Sequence, residues 1–194
     1  MREKIKKLFL IILFFSFLFP ISFKSLAQEI KITGNTASSE SAKVSYQLAW
    51  PGMLPDNPFY KLKVIRNKII GRLVFNPFKK IEFNLLQADK TLYASKLLVD
   101  NGNTELAKEI ALKGENYMTQ LVSDYRSAYW RHQNIPQELD LRIKLATEKH
   151  QQLLDGIIKK VKAEDKKTFL DVKYFSELNY ETLVKFKQEE ARKR

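Results

Sequence analysis

Residues 76–103, NPFKKIEFNLLQADKTLYASKLLVDNGN, decide the fold class. Asn76 is a good helix cap, and Pro77 at the first helical position loses no hydrogen bond. From there Ile81, Leu85, Ala88, Leu92, Ser95 and Val99 recur at steps of 4, 3, 4, 3 and 4, with Leu86, Tyr93 and Leu97 flanking them. A heptad seam of that length predicts a long helix that buries one stripe against other helices. Asp100-Asn101-Gly102-Asn103 closes it. Glycine suits the left-handed position after a helix, and Asn103 or Thr104 is placed to cap the next one.

The same grammar holds on both sides of this segment. Upstream, Trp50 to Asn57 is turn chemistry (Pro51-Gly52, then Pro55-Asp56-Asn57), and a short helix is expected from Pro58 to about Phe75. Its apolar positions Leu62, Ile65, Ile69 and Leu73 share one face. Downstream, a third helix is expected from about Glu105 to Gln133, with Ala107, Ile110, Gly114, Tyr117, Leu121, Tyr125 and Ala128 on one stripe. Its small residues would let a neighbouring helix come close. Ile135-Pro136 breaks it, and a fourth helix follows with Leu139, Ile143, Ala146, His150, Leu153, Ile157 and Val161. At 1.5 Å per residue the long helices would span roughly 40 Å. Beyond a charged joint at 162–167, Phe169, Val172, Phe175, Leu183 and Phe186 mark a last amphipathic segment, expected to break near Ser176. It would fold back on the bundle or pair with another copy. Short connections imply antiparallel neighbours. The fold class expected is all-α: an elongated antiparallel helical bundle of three long helices, with a short leading helix and a C-terminal helical segment.

The N-terminus carries different information. Arg2, Lys4, Lys6 and Lys7 stand against one Glu3. Residues 8–19 are apolar except for Ser16, Pro20 ends the run, and Ser25-Leu26-Ala27 follows. These are the parts of a secretory signal peptide, and the run is too short for a spanning helix of about 20 residues. Cleavage is expected after Ala27, placing the protein across the cytoplasmic membrane: secreted, periplasmic or at the cell surface. An uncleaved anchor is the alternative. The domain organisation is then a signal at 1–27, a serine-rich flexible tether at 28–49, a helical domain at 50–163 and the C-terminal segment at 164–194. The chain has no cysteine, which removes disulfides, thiolate metal sites and a cysteine nucleophile together.

The net charge is +12 over 194 residues. Residues 1–27 hold five cations (Lys24 the fifth) and Glu3, a contribution of +4, so 12 less 4 leaves +8 on the remaining chain. An exported basic protein meets anionic lipid headgroups and wall polymers before nucleic acid, which is an unlikely partner.

The stretch Met53-Leu54-Pro55-Asp56-Asn57-Pro58-Phe59-Tyr60-Lys61-Leu62-Lys63 is distinctive. With Phe75-Asn76-Pro77-Phe78-Lys79-Lys80 and the helices that follow, it resembles the bacterial family called domain of unknown function 5667. Members of that family show Leu-Pro-Asp-x-Pro-Phe/Leu-Tyr-x-Leu-Lys, then a Phe-x-Pro-x-Lys-Lys helix start. Phe78 stands where the family pattern has an acidic residue. The resemblance spans roughly residues 50–135 and implies an exported helical domain. It implies no activity, so there are no catalytic residues to carry over. Read on its own residues, the motif is a helix entry. Pro55 stiffens it, Asp56 and Asn57 can bind free backbone N–H groups, and Phe59, Tyr60 and Leu62 can pack under the turn. A docking loop centred on Asp56 and Tyr60 is the functional alternative.

No reaction is legible. The two histidines fall far apart on an expected hairpin, with His132 at the turn and His150 roughly 20 Å along the next helix. No His-Glu-x-x-His, serine-nucleophile or glycine-rich phosphate pattern is present. No cofactor, metal or catalytic set is therefore expected, and the protein is read as a non-enzymatic interaction or structural module of the cell envelope. Its partner would be another envelope protein or a second copy of itself. Two surface features compete for a role. Residues 57–81 hold Lys61, Lys63, Arg66, Lys68, Arg72, Lys79 and Lys80 and no acidic residue. Lys61, Lys68 and Arg72 share one helical edge beside the Leu62/Ile65/Ile69/Leu73 face. With Lys79 and Lys80, they are the candidate contacts for an anionic membrane or wall polymer. The plainer expectation is that this apolar face joins the bundle while the cations snorkel around its rim. At the end of the third helix, Tyr129 and Trp130 are candidate docking aromatics, or else they plug the bundle end.

Overall fold

The computed structural model describes residues 46–131 and 133–192. The expected signal segment, most of the expected tether and His132 lie outside the described residues. Within them the secondary structure is helical: α1 Tyr60–Leu73, α2 Pro77–Asp100, α3 Thr104–Trp130, α4 Gln137–Lys160 and α5 Ala163–Arg192.

The helix ends follow local chemistry. The Asn76 side chain accepts a hydrogen bond from the Lys79 N–H at 3.1 Å, capping α2 as expected. After α2, Gly102 takes φ +81°, a conformation that costs glycine nothing. Asn103 holds the N-cap position of α3 through its backbone carbonyl and not its side chain. At α1, residues 57–59 form a turn ahead of the helix. Asn57 Oδ1 accepts from the Phe59 N–H at 2.9 Å, and its carbonyl accepts from the Tyr60 N–H at 2.9 Å.

Helices α2 to α5 enclose the core. Across α2 and α3, Ser95 Oγ donates to the Ala107 carbonyl at 2.8 Å, and Asn84 reaches Asp124 at 2.6 Å, so the two run antiparallel. They also come close. A methyl group added at Gly114 would lie 2.9 Å from Leu92 Cγ and 3.3 Å from the Leu92 backbone nitrogen. The small residues Ala107 and Gly114 of the expected stripe permit this, and the buried Ala111 adds to them. Helices α4 and α5 are likewise antiparallel, joined by Lys173–Asp155 at 2.7 Å and Lys187–Asp140 at 2.7 Å. The two hairpins then lie side by side in the same direction. Asp100–Lys160, Asp89–His150 and Glu82–Arg142 tie α2 to α4 at nearly constant sequence offset, and Lys108–Asp165 ties α3 to α5.

Three expectations are corrected here. The C-terminal segment is a continuous 30-residue helix without a break at Ser176. Ser176 is itself fully buried and continues the seam of Phe169, Val172, Leu183 and Phe186, while Phe175 points outward. Secondly, the consecutive helices α3 and α4 are not each other's main partners. Both pack on α2 and α5, and they meet near their connection, where Tyr125 Oη donates to Asp140 Oδ1 at 2.8 Å. Thirdly, residues 46–49, placed in the tether by sequence, are packed. Tyr46 and Leu48 are buried, the Tyr46 hydroxyl donates to Asp89 Oδ2 at 2.7 Å, and Asp89 Oδ1 lies 2.8 Å from His150 Nε2. His150 is thus a buried, hydrogen-bonded histidine on the seam.

Candidate functional site: the outward face of the first helix

Helix α1 lies outside the four-helix core and touches it with its polar side. Asn67 Nδ2 donates to Gln87 Oε1 at 2.9 Å. Gly71, the one buried residue of α1, sits against the Phe83 ring. Lys80 Nζ donates to the Gly71 carbonyl near the helix end. At the other end Lys63 Nζ donates to the carbonyls of Pro51 and Met53, at 2.6 and 2.9 Å, fastening the entry loop to the helix. Fixing a helix by its polar side dictates the rest, because residues at three- and four-residue steps share a face.

The apolar side therefore points away from the protein. Leu62, Ile65, Ile69 and Leu73 are 64, 54, 52 and 63 % exposed, and Phe59 and Ile70 extend the same surface. This overturns the expectation that the face joins the bundle. The expectation that Phe59 and Leu62 pack under the entry turn falls with it; of the three residues of that motif, Tyr60 alone is turned inward. Phe75, just past the helix, is 83 % exposed. Single exposed apolar residues are ordinary, but a contiguous patch rimmed by charge marks an interaction surface. The rim is cationic. Lys61, Lys68 and Arg72 are exposed along one edge, and Arg66 is exposed with its guanidinium held by the neighbouring Asn67 side chain at 3.0 Å.

The other candidates divide. Lys79 is exposed and paired with Glu82 at 2.8 Å, and Lys80 Nζ gives one hydrogen bond to the Gly71 carbonyl. Asp56 is exposed in the entry turn, where Asn57 makes the helix-start hydrogen bonds. Tyr60 is half-buried, with the ammonium groups of Lys63 and Lys113 over its ring at 5.2 and 5.7 Å from the centroid. Burial raises its phenol above the usual range. Tyr129 packs edge-on against Phe186 of α5 at 5.1 Å between centroids and against Trp130 at 6.4 Å. Trp130 is 62 % exposed. Tyr129 thus joins the end of the core, and Trp130 covers it from outside.

Sequence reading missed Lys90 and Lys113. They come from α2 and α3, far from the basic run in sequence, and the fold brings them to the Tyr60 end of α1. Among the described residues no group of three or more histidine and carboxylate side chains is placed to hold a metal ion, and no helix is long and apolar enough to cross a membrane.

The family model described as "Domain of unknown function (DUF5667)" matches residues 52–164, more than half of the chain. The protein belongs to the DUF5667 family. The matched segment opens at the entry turn of α1 and takes in α1 to α4, so the outward-facing helix lies inside the DUF5667 domain and most of α5 lies beyond it. No curated protein and no solved structure matches the chain.

Proposed function

We propose that this DUF5667 protein is an exported, non-enzymatic helical module of the cell envelope that docks on an anionic membrane surface through α1. One observation carries the reading: the apolar face of α1 is turned to solvent, with Lys61, Lys68 and Arg72 along its edge. A helix of this kind lies in the interface plane, its apolar residues at the acyl boundary and its cations among the headgroups. Absence of any carboxylate from residues 57–81 removes the repulsion an anionic surface would otherwise meet, apart from Asp56 just before the run and Glu82 just beyond it. The signal-like N-terminus delivers the chain to the side of the membrane where this surface would be met. The four-helix core serves as the rigid body that the docked helix holds at the membrane.

Binding of the exported chain to phosphatidylglycerol and phosphatidylcholine vesicles tests this. Each cation near an anionic surface contributes about 1 kcal/mol, so reversing Lys61, Lys68 and Arg72 to Glu lowers affinity by roughly a hundredfold or more. Leu62→Ser/Ile69→Ser weakens binding at unchanged charge. Loss with the charge variant but not with the serine variant would replace the membrane with a soluble wall polyanion. Specific capture of a protein that competes with vesicles for Leu62 and Ile69 would replace it with a protein partner.

A further inference from the structure

Beneath the Tyr60 end of α1 the fold gathers cations that no acid neutralises. Lys63 comes from α1, Lys90 from α2 and Lys113 from α3, around a small cavity of about 20 Å³ that Tyr60 and Tyr117 also line. That is room for about one water-sized atom. Lys63 Nζ already gives two of its protons to backbone carbonyls. Lys113 lies over the Tyr60 ring, and Arg66 adds its charge to both Lys63 and Lys90. No carboxylate of the described residues forms an ion pair with Lys63, Lys90 or Lys113. Other partly buried lysines differ among themselves: Lys108 pairs with Asp165 and Lys173 with Asp155, whereas Lys80 donates to the Gly71 carbonyl. The three ammonium groups are held below the usual lysine range, first by burial and then by neighbouring cations. The neutral side chains of Asn67, Gln87 and Thr91 complete the lining; three partly buried ammonium groups without a carboxylate repel one another, and an anion with several acceptor oxygens relieves that repulsion.

We infer that Lys63, Lys90 and Lys113 form a binding site for a phosphoryl oxyanion, the headgroup phosphate of an anionic phospholipid. One phosphoryl oxygen enters the cavity and the others meet the lysines at its mouth. The tyrosine hydroxyls serve as further donors. This deepens the docking proposed for α1 and rests on it for the source of the phosphate: the apolar face supplies membrane affinity, and the cage selects for phosphate-bearing lipid.

The test uses the exported chain carrying ¹³C-labelled lysine, glycerol phosphate as the soluble probe, and phosphatidylglycerol vesicles as the lipid probe. Glycerol phosphate should raise the titration midpoints of Lys90 and Lys113, and saturably so. Lys90→Gln/Lys113→Gln should lower vesicle affinity by roughly tenfold or more, two charge-assisted hydrogen bonds being lost, and should leave the unliganded protein more resistant to urea because repulsion is relieved. Lys90→Arg keeps the charge and should retain binding. If glycerol phosphate shifts neither lysine and the double variant binds vesicles like wild type, the phosphoryl site is overturned while docking through α1 stands. If the lysines respond to glycerol phosphate but wild-type protein ignores vesicles, the membrane as source is overturned and a soluble phosphate ester takes its place.

Discussion

Replacing Glu115 by Gln should make this protein more stable at neutral pH and leave it unchanged in acid. Glu115 is buried on α3 against α5, its Oε1 accepting from Asn179, while Oε2 has no partner. Burial pushes its carboxyl from 4.5 up to about 7, and the hydrogen bond from Asn179 offsets only part of that rise. The folded protein therefore keeps a proton that the unfolded chain releases near pH 4.5. Below that pH both states are protonated and the site is neutral in its effect. As pH rises from 4.5 toward 7 the unfolded state gains from ionising and the folded state does not, so stability falls through that window and levels off above it. At 1.36 kcal/mol per pH unit the loss approaches about 3 kcal/mol. Glutamine has nearly the same shape, still accepts from Asn179 and does not titrate. Urea unfolding followed by circular dichroism at pH 4 and pH 8 reads the difference between variant and wild type, in which all other titrations cancel. The variant should match wild type at pH 4 and exceed it by about 3 kcal/mol at pH 8, a melting-temperature rise on the order of 6–12 °C. A difference that is the same at both pH values would refute the desolvation argument.

Other outcomes follow from particular contacts. Gly114→Ala should destabilise by about 1–2 kcal/mol in urea unfolding, since the new methyl meets Leu92 and its backbone at contact distances that force α2 and α3 apart. Gly156→Ala on α4, where nothing lies within 4 Å, should instead stabilise by roughly 0.5–1 kcal/mol through helix propensity. Asp89→Ala leaves Tyr46 and His150 buried without their acceptor and should cost about 3 kcal/mol. Tyr46→Phe should cost about 1 kcal/mol and speed proteolysis at residues 46–50; unchanged cleavage there would show that the hydroxyl does not hold the segment down.

The helices were legible because their punctuation is local: Asn76-Pro77, Asn101-Gly102 and Ile135-Pro136 act within a few residues of the ends they set. The seams of α2, α3 and α4 were legible because burial imposes one period on the chain. Partnership was not. An amphipathic pattern says that a helix owns an apolar face and is silent on what covers it. For α1 the sequence offered Leu62, Ile65, Ile69 and Leu73 as the side to bury, yet Asn67, Gly71 and Tyr60 make the contacts. Glycine at 71 is the residue that lets α1 lie on Phe83, and its role is visible only once that ring is in place. Ser176 misled because a lone polar residue in a seam reads as a break, whereas here it sits in the core beside Glu115. The lysine cage was beyond reach, being assembled from three helices whose contributions look like ordinary surface charge when taken singly.

The outward face of α1 is the central claim, and a cysteine-free chain makes it directly measurable. A spin label at Ile69→Cys reports its own depth through collision with oxygen and with a water-soluble nickel chelate, whatever the N-terminal segment does. A label at Gly156→Cys, on the exposed side of α4, serves as the aqueous reference. With phosphatidylglycerol vesicles the account predicts that the label at 69 gains oxygen contact and loses nickel contact while the label at 156 does not change. Continued nickel contact at residue 69, with vesicles in excess, would contradict it.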